Sequence, residues 1–289
     1  MSATTATVPP PRERLWTRMF TAPGSAIGLV LLALMIAGAI LAPWIAPFDW
    51  NETRVCPRIA PPSAEHLFGC DLYGRDLFSR VLYGTRFSLS VGVATVAISL
   101  VFGALFGMVI GFAGGRTDAL GTRAIDVMLG FPPIVLAILM VAVLGVGLWN
   151  AAFAVGIAGI PRFARVVRAA TLSVAANDFM EAAEATGASH IRIVLRHLLP
   201  NLAPTLIVLA SLDLGTAILS TATLSFLGLG AQPPTPEWGA MLNAGREFMR
   251  YAPWTMIFPG LALFLSVMAV NLVGDRLSLV LDPRQRGRV

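Results

Sequence analysis

Six long apolar stretches alternate along this chain with segments that hold most of its charged residues. Five of them run for about 20 residues, the length that an α-helix needs to cross the hydrocarbon core of a bilayer. The fourth is shorter, because arginines follow it closely, and its extension toward residue 170 is less apolar. This pattern predicts an all-α, polytopic membrane protein with six transmembrane helices. The stretches cover residues 24–45, 89–112, 127–148, 151–160, 206–229 and 254–273.

The distribution of arginine predicts how the chain is oriented, because cytoplasmic segments of membrane proteins are enriched in positive charge. With a cytoplasmic N-terminus, the cytoplasmic segments hold 14 of the 21 arginines. The first stretch is too long for a signal peptide, so we expect it to remain as an anchor. The chain then divides into a cytoplasmic tail (1–23), a first transmembrane helix (24–46), an extracytoplasmic loop (47–88), a five-helix core (89–275) and a second cytoplasmic tail (276–289).

Composition limits the chemistry that this chain can perform. Charged residues make up 13% of it, about half the usual share of a soluble protein. All 21 basic residues are arginine, so the chain lacks the lysine of a Walker A phosphate-binding loop and of a Schiff base. No basic run with interleaved aromatic residues indicates nucleic-acid binding. We predict no catalytic residue.

Two features inside the spans need an explanation. Gly103, Gly107, Gly111 and Gly115 recur at every fourth position, and small residues at that spacing let two helices pack closely in lipid. The partner helix is expected either in the same chain or in another subunit. Asp213 lies well inside the fifth stretch, where an isolated carboxylate is costly. It is therefore either a residue of a transport pathway or a hydrogen-bonded structural residue.

A capped helical hairpin is predicted between the fourth and fifth stretches, in residues 177–200. Asn177 or Asp178 suits a helix N-cap, and acids follow in the first turn. Gly187 suits the position just after the helix, and Ser189 suits the cap of a second helix that carries Arg192 and Arg196 and ends at Pro200. Because the other connections on that side are short, we expect this hairpin to dock onto a cytoplasmic partner.

The same residues resemble the EAA loop of binding-protein-dependent ABC importer permeases. The match comprises Glu181-Ala182-Ala183, then Gly187, then Leu199-Pro200. Further similarity lies in residues 66–92, 224–230 and 271–275, and in Trp238-Gly239. Together these segments resemble the C subunit of the dipeptide, oligopeptide and nickel type, and the likeness covers nearly the whole chain.

The resemblance implies a type I ABC importer permease fold in the bacterial inner membrane. It implies a heterodimer with a B-type permease, two ATPase subunits that carry ATP and magnesium, and an extracytoplasmic substrate-binding protein. This chain itself is expected to hold no cofactor. Coupling to the ATPase is expected to rest on the residues of the hairpin: Glu181, Ala182, Ala183, Gly187, Arg192, Arg196, Leu199 and Pro200.

Both cysteines, Cys56 and Cys70, lie in the predicted extracytoplasmic loop, where a disulfide is chemically permitted. Two free thiols are the alternative. His190 and His197 fall on one helix face without a third ligand nearby, so we predict no metal site.

Two other interpretations stay open from the sequence. A secondary transporter or channel could also have six spans. Against it, the sequence shows no charged relay, and such a protein would have no use for the hairpin. Within the importer class, peptides are the leading substrates, and nickel chelates or glutathione are the alternatives.

Overall fold

A computed structural model describes residues 23–281, and within them every regular element is helical. The long helices are α1 (Pro23–Ile45), α2 (Leu77–Ala113), α5 (Leu148–Ala175), α8 (Leu199–Phe226) and α10 (Trp254–Leu281). Shorter helices lie between them. They are α3 (Gly115–Leu129), α4 (Pro133–Leu144), α6 (Asp178–Ala185), α7 (His190–Ile193) and α9 (Trp238–Gly245).

By length and composition, fewer helices than the six expected qualify as membrane spans. Within residues 23–281, four helices are long and apolar enough to cross a membrane, and the bent pair of α3 and α4 would be a fifth. The expected fourth span corresponds to α5, whose three arginines, Arg162, Arg165 and Arg168, lower its apolar character. The predicted tails 1–23 and 276–289 lie largely outside the described residues.

The expected third span is divided into two helices. α3 and α4 meet at an angle of 89° across a short break at residues 130–132. Proline supplies the reason, because Pro132 and Pro133 have no amide hydrogen with which to continue the hydrogen bonding of α3. α4 has 12 residues, which span about 18 Å, too little to cross a bilayer alone.

Helix α2 starts 12 residues earlier than its apolar stretch predicted. Its cap is Asp76, whose side chain accepts a hydrogen bond from the Ser79 amide at 2.8 Å. The first turns carry Arg80, which is 4% exposed and donates to the carbonyls of Trp50 (2.9 Å) and Pro234 (3.2 Å). A paired arginine of this kind lowers the hydropathy of a helix without exposing charge, so the predicted loop 47–88 ends as a helix.

The elements define two ends of the bundle. Residues 46–76 and α9 lie at one end, which we call the disulfide end because Cys56 and Cys70 are bonded there. α6 and α7 lie at the opposite end, which we call the coupling end. Between the ends, α5 packs most extensively against α2, and α8 packs against α10, α2 and α5.

Candidate functional site

The segment between α5 and α8 forms a helical hairpin at the coupling end. α6 ends in a Schellman motif, in which the Ala188 amide donates to the Ala183 carbonyl at 3.3 Å. Gly187 stands at the left-handed position of that motif, with φ +76°. Ser189 stands at the N-cap position of α7, where its side chain makes no capping hydrogen bond. Asn177 serves the preceding helix instead, since its side-chain amide donates to the Ser173 and Val174 carbonyls of α5.

One face of the hairpin is anchored to the bundle. Met180 and Ala183 of α6 join Ile193 and Leu198 in one apolar cluster, and Val167 of α5 lies in the same cluster. All five side chains are at most 9% exposed. Ala183 is therefore a packing residue within this chain, and its apolar side chain fixes the hairpin to α5.

The other face of the hairpin is exposed. Glu181, Ala182, Arg192 and Arg196 lie on it. Three large apolar side chains also lie exposed at this end of the molecule, with exposed fractions of 43% for Phe179, 74% for Ile191 and 60% for Leu195. None of these three residues belongs to the sequence motif. They could have been recognised as large apolar residues at hairpin positions that do not face the bundle.

The second helix of the hairpin was expected to end at Pro200, but it continues into α8. The backbone runs from His190 to Phe226 as one continuous helical segment, with one π-helical turn at Val194–Leu198. Leu199 and Pro200 follow that turn directly, so Pro200, which has no amide hydrogen to donate, lies where the hydrogen-bond register of the helix changes. The second helix of the hairpin thus continues into α8 without a loop.

Asp213 has a charged partner inside the helix bundle. Its Oδ1 accepts a hydrogen bond from Nη1 of Arg162 at 2.6 Å, which links α8 to α5. The Asp213 side chain is 11% exposed and that of Arg162 is 53% exposed. Two roles were expected for Asp213, in a transport pathway or as a hydrogen-bonded structural residue, and its carboxylate is hydrogen-bonded in this structure. The guanidinium of Arg162 is half-exposed, so a role of the pair in the pathway can be tested.

Three arginines on α5 pair with acids on neighbouring helices. Arg162 pairs with Asp213 of α8, and Arg165 and Arg168 pair with Asp126 and Asp118 of α3. Arg168 binds its carboxylate through two nitrogens, the bidentate geometry that arginine favours. The last two pairs hold α3 against α5. In the sequence these arginines indicate the orientation of the chain and not their partners.

The face of α2 that carries Gly103, Gly107 and Gly111 packs against α5 of the same chain. A Cβ on Gly103 would lie 2.5 Å from Phe163 Cβ, and one on Gly107 would lie 2.5 Å from the Ala164 carbonyl oxygen. Gly111 faces Thr171 in the same way, at 3.0 Å. Gly115 does not share this face, because α2 has already ended and Gly115 begins α3. The face is therefore an intrachain contact.

The disulfide end is built around Cys56 and Cys70, which are bonded to each other. His66 lies close by and its Nδ1 is 2.9 Å from Asp76 Oδ1. The two sulfurs and a His66 nitrogen lie within 4.8 Å of one another, a grouping of metal-ligand type. In the disulfide, however, the sulfurs are not thiolates, which are the form that binds metals.

A cavity of about 360 Å³ opens at the disulfide end, between residues 71–80 and the segment from 228 to 248. Beside it, Glu237 caps α9 by accepting from the amides of Gly239 (3.0 Å) and Ala240 (2.9 Å). Burial raises the pKa of the Glu237 carboxyl. The sequence resemblance includes the neighbouring Trp238-Gly239 and does not distinguish this carboxylate.

Comparisons with known proteins agree with this architecture. Residues 103–287 match the family described as binding-protein-dependent transport system inner membrane component. Residues 11–62 match the N-terminal TM domain of oligopeptide transport permease C.

Curated relatives match over almost the full length. The dipeptide transport system permease protein of Alkalihalophilus pseudofirmus is 45% identical over 90% of this chain and 86% of its own. The glutathione transport system permease protein of Escherichia coli O1:K1 / APEC is 46% identical, over 96% of this chain and 92% of its own. A di/tripeptide transport system permease protein of Pseudomonas aeruginosa is 41% identical over 96% of this chain and 93% of its own.

Among solved structures, the fold is similar to the MetNI methionine ABC transporter in an inward-facing conformation. That match has a TM-score of 0.51 and 22% identity and covers 68% of this chain and 94% of the other. The likeness supports the helical architecture. The family match and the relatives above show that the chain belongs to the inner membrane components of binding-protein-dependent transport systems.

Proposed function

We propose that this chain is one of two permease subunits of an ATP-driven importer for dipeptides or other short peptides. The exposed face of the 177–200 hairpin carries the proposal, because it presents Phe179, Ile191 and Leu195 to solvent on a segment otherwise fixed to the bundle. An exposed apolar group of this kind marks a protein contact. The peptide substrate is supported by the relatives that transport dipeptides and di/tripeptides.

The partners follow from the same proposal. Two ATPase subunits bind ATP and magnesium, since this chain has no lysine for a Walker A loop. A second permease covers the remaining half of the pathway, and a binding protein delivers substrate at the disulfide end. The chain then lies in the inner membrane of a bacterial cell, with the coupling end and both termini on the cytoplasmic side.

Coupling works through rigid connections. When the ATPase subunits close on ATP, they move the hairpin through its exposed face. The buried face transmits that movement to α5 through Val167, and the continuous helix from His190 to Phe226 transmits it to α8. The two helices then tilt and alternate the access of the pathway.

Glutathione is the alternative substrate, because a relative at 46% identity transports it. A nickel chelate is kept as a third test compound. Purified complexes in proteoliposomes, supplied with ATP and the loaded binding protein, distinguish the three by direct uptake. We expect peptide uptake that stops without ATP.

The contact is tested with a matched pair of variants. Leu195→Asp places a charge on the exposed face of the hairpin, whereas Leu67→Asp changes a similarly exposed leucine at the disulfide end. If Leu195 is an interface residue, its loss costs about 2 kcal/mol, roughly thirty-fold in affinity. We expect the ATPase subunits to co-purify with Leu67→Asp and not with Leu195→Asp. Equal co-purification of both variants contradicts the proposed contact.

A further inference from the structure

The pair of Arg162 and Asp213 lines a small cavity among α2, α4, α5 and α8. The cavity has a volume of about 180 Å³. Arg162 and Asp213 are the charged side chains in its lining, and Thr216 and Ser220 line it from the same face of α8. Complete ligand pockets measure about 300–1,000 Å³, so this chain by itself can enclose only one end of a short peptide.

Both charged residues lie near the middle of their helices. Arg162 is the fifteenth residue of α5, and Asp213 is the fifteenth of α8. Each lies about 20 Å along its helix from the disulfide end, at 1.5 Å per residue. The break between α3 and α4 lies at a similar distance, since α4 spans about 18 Å, and Leu129 and Pro133 on either side of it line the same cavity. Interrupted helices at membrane depth occur where the backbone lines a cavity or is covered by protein.

We expect the open side of Arg162 to face protein or water and not lipid. Its side chain is 53% exposed, and an arginine at mid-membrane depth in contact with acyl chains is costly. Facing the second permease or the pathway between the two permeases removes that cost. Within the described residues, the guanidinium has one recorded hydrogen bond, to Asp213 Oδ1, out of the five that its donors allow. Free donors in a planar fork are suited to a carboxylate.

We propose that Arg162 binds the terminal carboxylate of the peptide in transit, with Asp213 as the partner that holds the guanidinium between substrates. This inference rests on the proposed function. A short peptide carries a carboxylate and an ammonium group, so its entry beside the ion pair adds no net charge to the middle of the membrane. The carboxylate binds the free donors of Arg162, and the ammonium group binds the Asp213 oxygen thus released. Arg162 is then a specificity-determining residue for substrates with a free carboxyl end.

The test compares uptake of alanyl-alanine with uptake of its C-terminal amide by the complete transporter in proteoliposomes. Each compound is loaded to equal occupancy on the binding protein. For the unmodified transporter we expect the free acid to be taken up at least ten-fold faster. Arg162→Gln is expected to bring this ratio close to one, while Arg162→Lys, which keeps the charge, retains part of the preference. An unchanged ratio in Arg162→Gln overturns the proposal.

A second pair of variants separates substrate binding from helix packing. Arg162→Gln with Asp213→Asn leaves a neutral pair that can still be hydrogen-bonded, and Arg165→Gln with Asp126→Asn neutralises the neighbouring pair on the same helix. The first double variant is expected to assemble and to lose the preference for the free acid. The second is expected to keep it. If both double variants keep the ratio of the unmodified transporter, the pair is structural only and the proposal fails. Failure of the proposed function is recognised separately, as absence of ATP-dependent peptide uptake in the unmodified complex.

Discussion

Glu237 shows how a single buried carboxylate organises the disulfide end. Its side chain is 2% exposed, and its oxygens accept from the amides of Gly239 and Ala240. The next residue, Trp238, is fully buried and donates from its ring nitrogen to the Val81 carbonyl at 3.1 Å. The cap therefore fixes the start of α9 against the first turns of α2.

The charge state of Glu237 makes the stability of this end depend on pH. Burial raises the pKa of its carboxyl in the folded protein, although the two amides and the hydroxyls of Ser225 and Ser88 act against that shift. The folded state therefore holds the proton to a higher pH than the unfolded chain does. By linkage, the contribution of Glu237 to stability is complete below about pH 4.5, the ordinary pKa of a glutamate carboxyl. It falls as the pH rises through the raised pKa of the folded state and stays constant at higher pH.

We predict that Glu237→Gln removes this slope. The amide is uncharged at every pH and loses one of the two hydrogen bonds, which costs about 1 kcal/mol. The unmodified protein should melt above the variant at pH 4.5 to 5, and the gap should narrow as the pH rises. Thermal unfolding of the two purified proteins in detergent across this range measures it. A gap that is constant with pH contradicts the assignment.

At the scale of helices, the contact of α2 with α5 is made possible by small residues. The distances from an added Cβ at Gly103 and Gly107 to α5 are too short for any side chain, and the nearest atoms at Gly107 belong to the backbone. Backbone atoms cannot move aside as a flexible side chain can. The two helices are therefore in close contact over two turns.

We predict that Gly107→Ala lowers the free energy of unfolding by about 1–3 kcal/mol, the usual cost of overpacking. Gly260→Ala is the control, because the nearest atom to its added Cβ is a Leu242 methyl carbon at 3.7 Å. The control should be neutral or stabilising by up to about 1 kcal/mol, since alanine favours helix more than glycine does. Equal melting temperatures for the two variants would contradict the packing.

Hydropathy located the helical segments and misplaced their ends, for two physical reasons. Hydropathy counts Arg80 as polar and cannot show that its guanidinium is hydrogen-bonded inside the protein, so the start of α2 reads as a loop. A bend leaves a long apolar stretch unchanged in composition, so the division at residues 130–132 was missed as well. Capping residues such as Gly187 act locally and were predictable. The pairing of Arg162 with Asp213 joins residues 51 apart and was not.

At the scale of the whole molecule, one helix, α5, connects the coupling end with the cavity that Arg162 lines. α5 contacts the hairpin through Val167 and carries Arg162 less than two turns away. Its other arginines attach α3, whose junction with α4 borders the cavity. A movement of the hairpin therefore reaches the cavity without passing through a flexible segment, provided that the hairpin itself is rigid.

The rigidity of the hairpin depends on Gly187, and a matched glycine allows that dependence to be isolated. Gly228 occupies the same position of a Schellman motif at the end of α8, with φ +80° and a bond from the Leu229 amide to the Leu224 carbonyl at 2.9 Å. Neither glycine has a close neighbour on its open side. Replacing either by alanine imposes a left-handed conformation that costs about 1–2 kcal/mol. Global stability should therefore fall by similar amounts in the two variants.

Under the proposed function their effects on coupling should differ, because the proposal places only the Gly187 turn at the contact with the ATPase subunits. We predict that Gly187→Ala lowers ATPase co-purification and ATP-driven uptake several-fold, and that Gly228→Ala leaves co-purification unchanged. Gly187→Asn should recover much of the loss, since asparagine tolerates the left-handed conformation better than alanine. Binding of the ATPase subunits to detergent-purified variants, compared at equal folded fraction, makes the measurement. If both alanine variants lose the ATPase equally, the loss follows stability alone and the hairpin is not the element that couples ATP to transport.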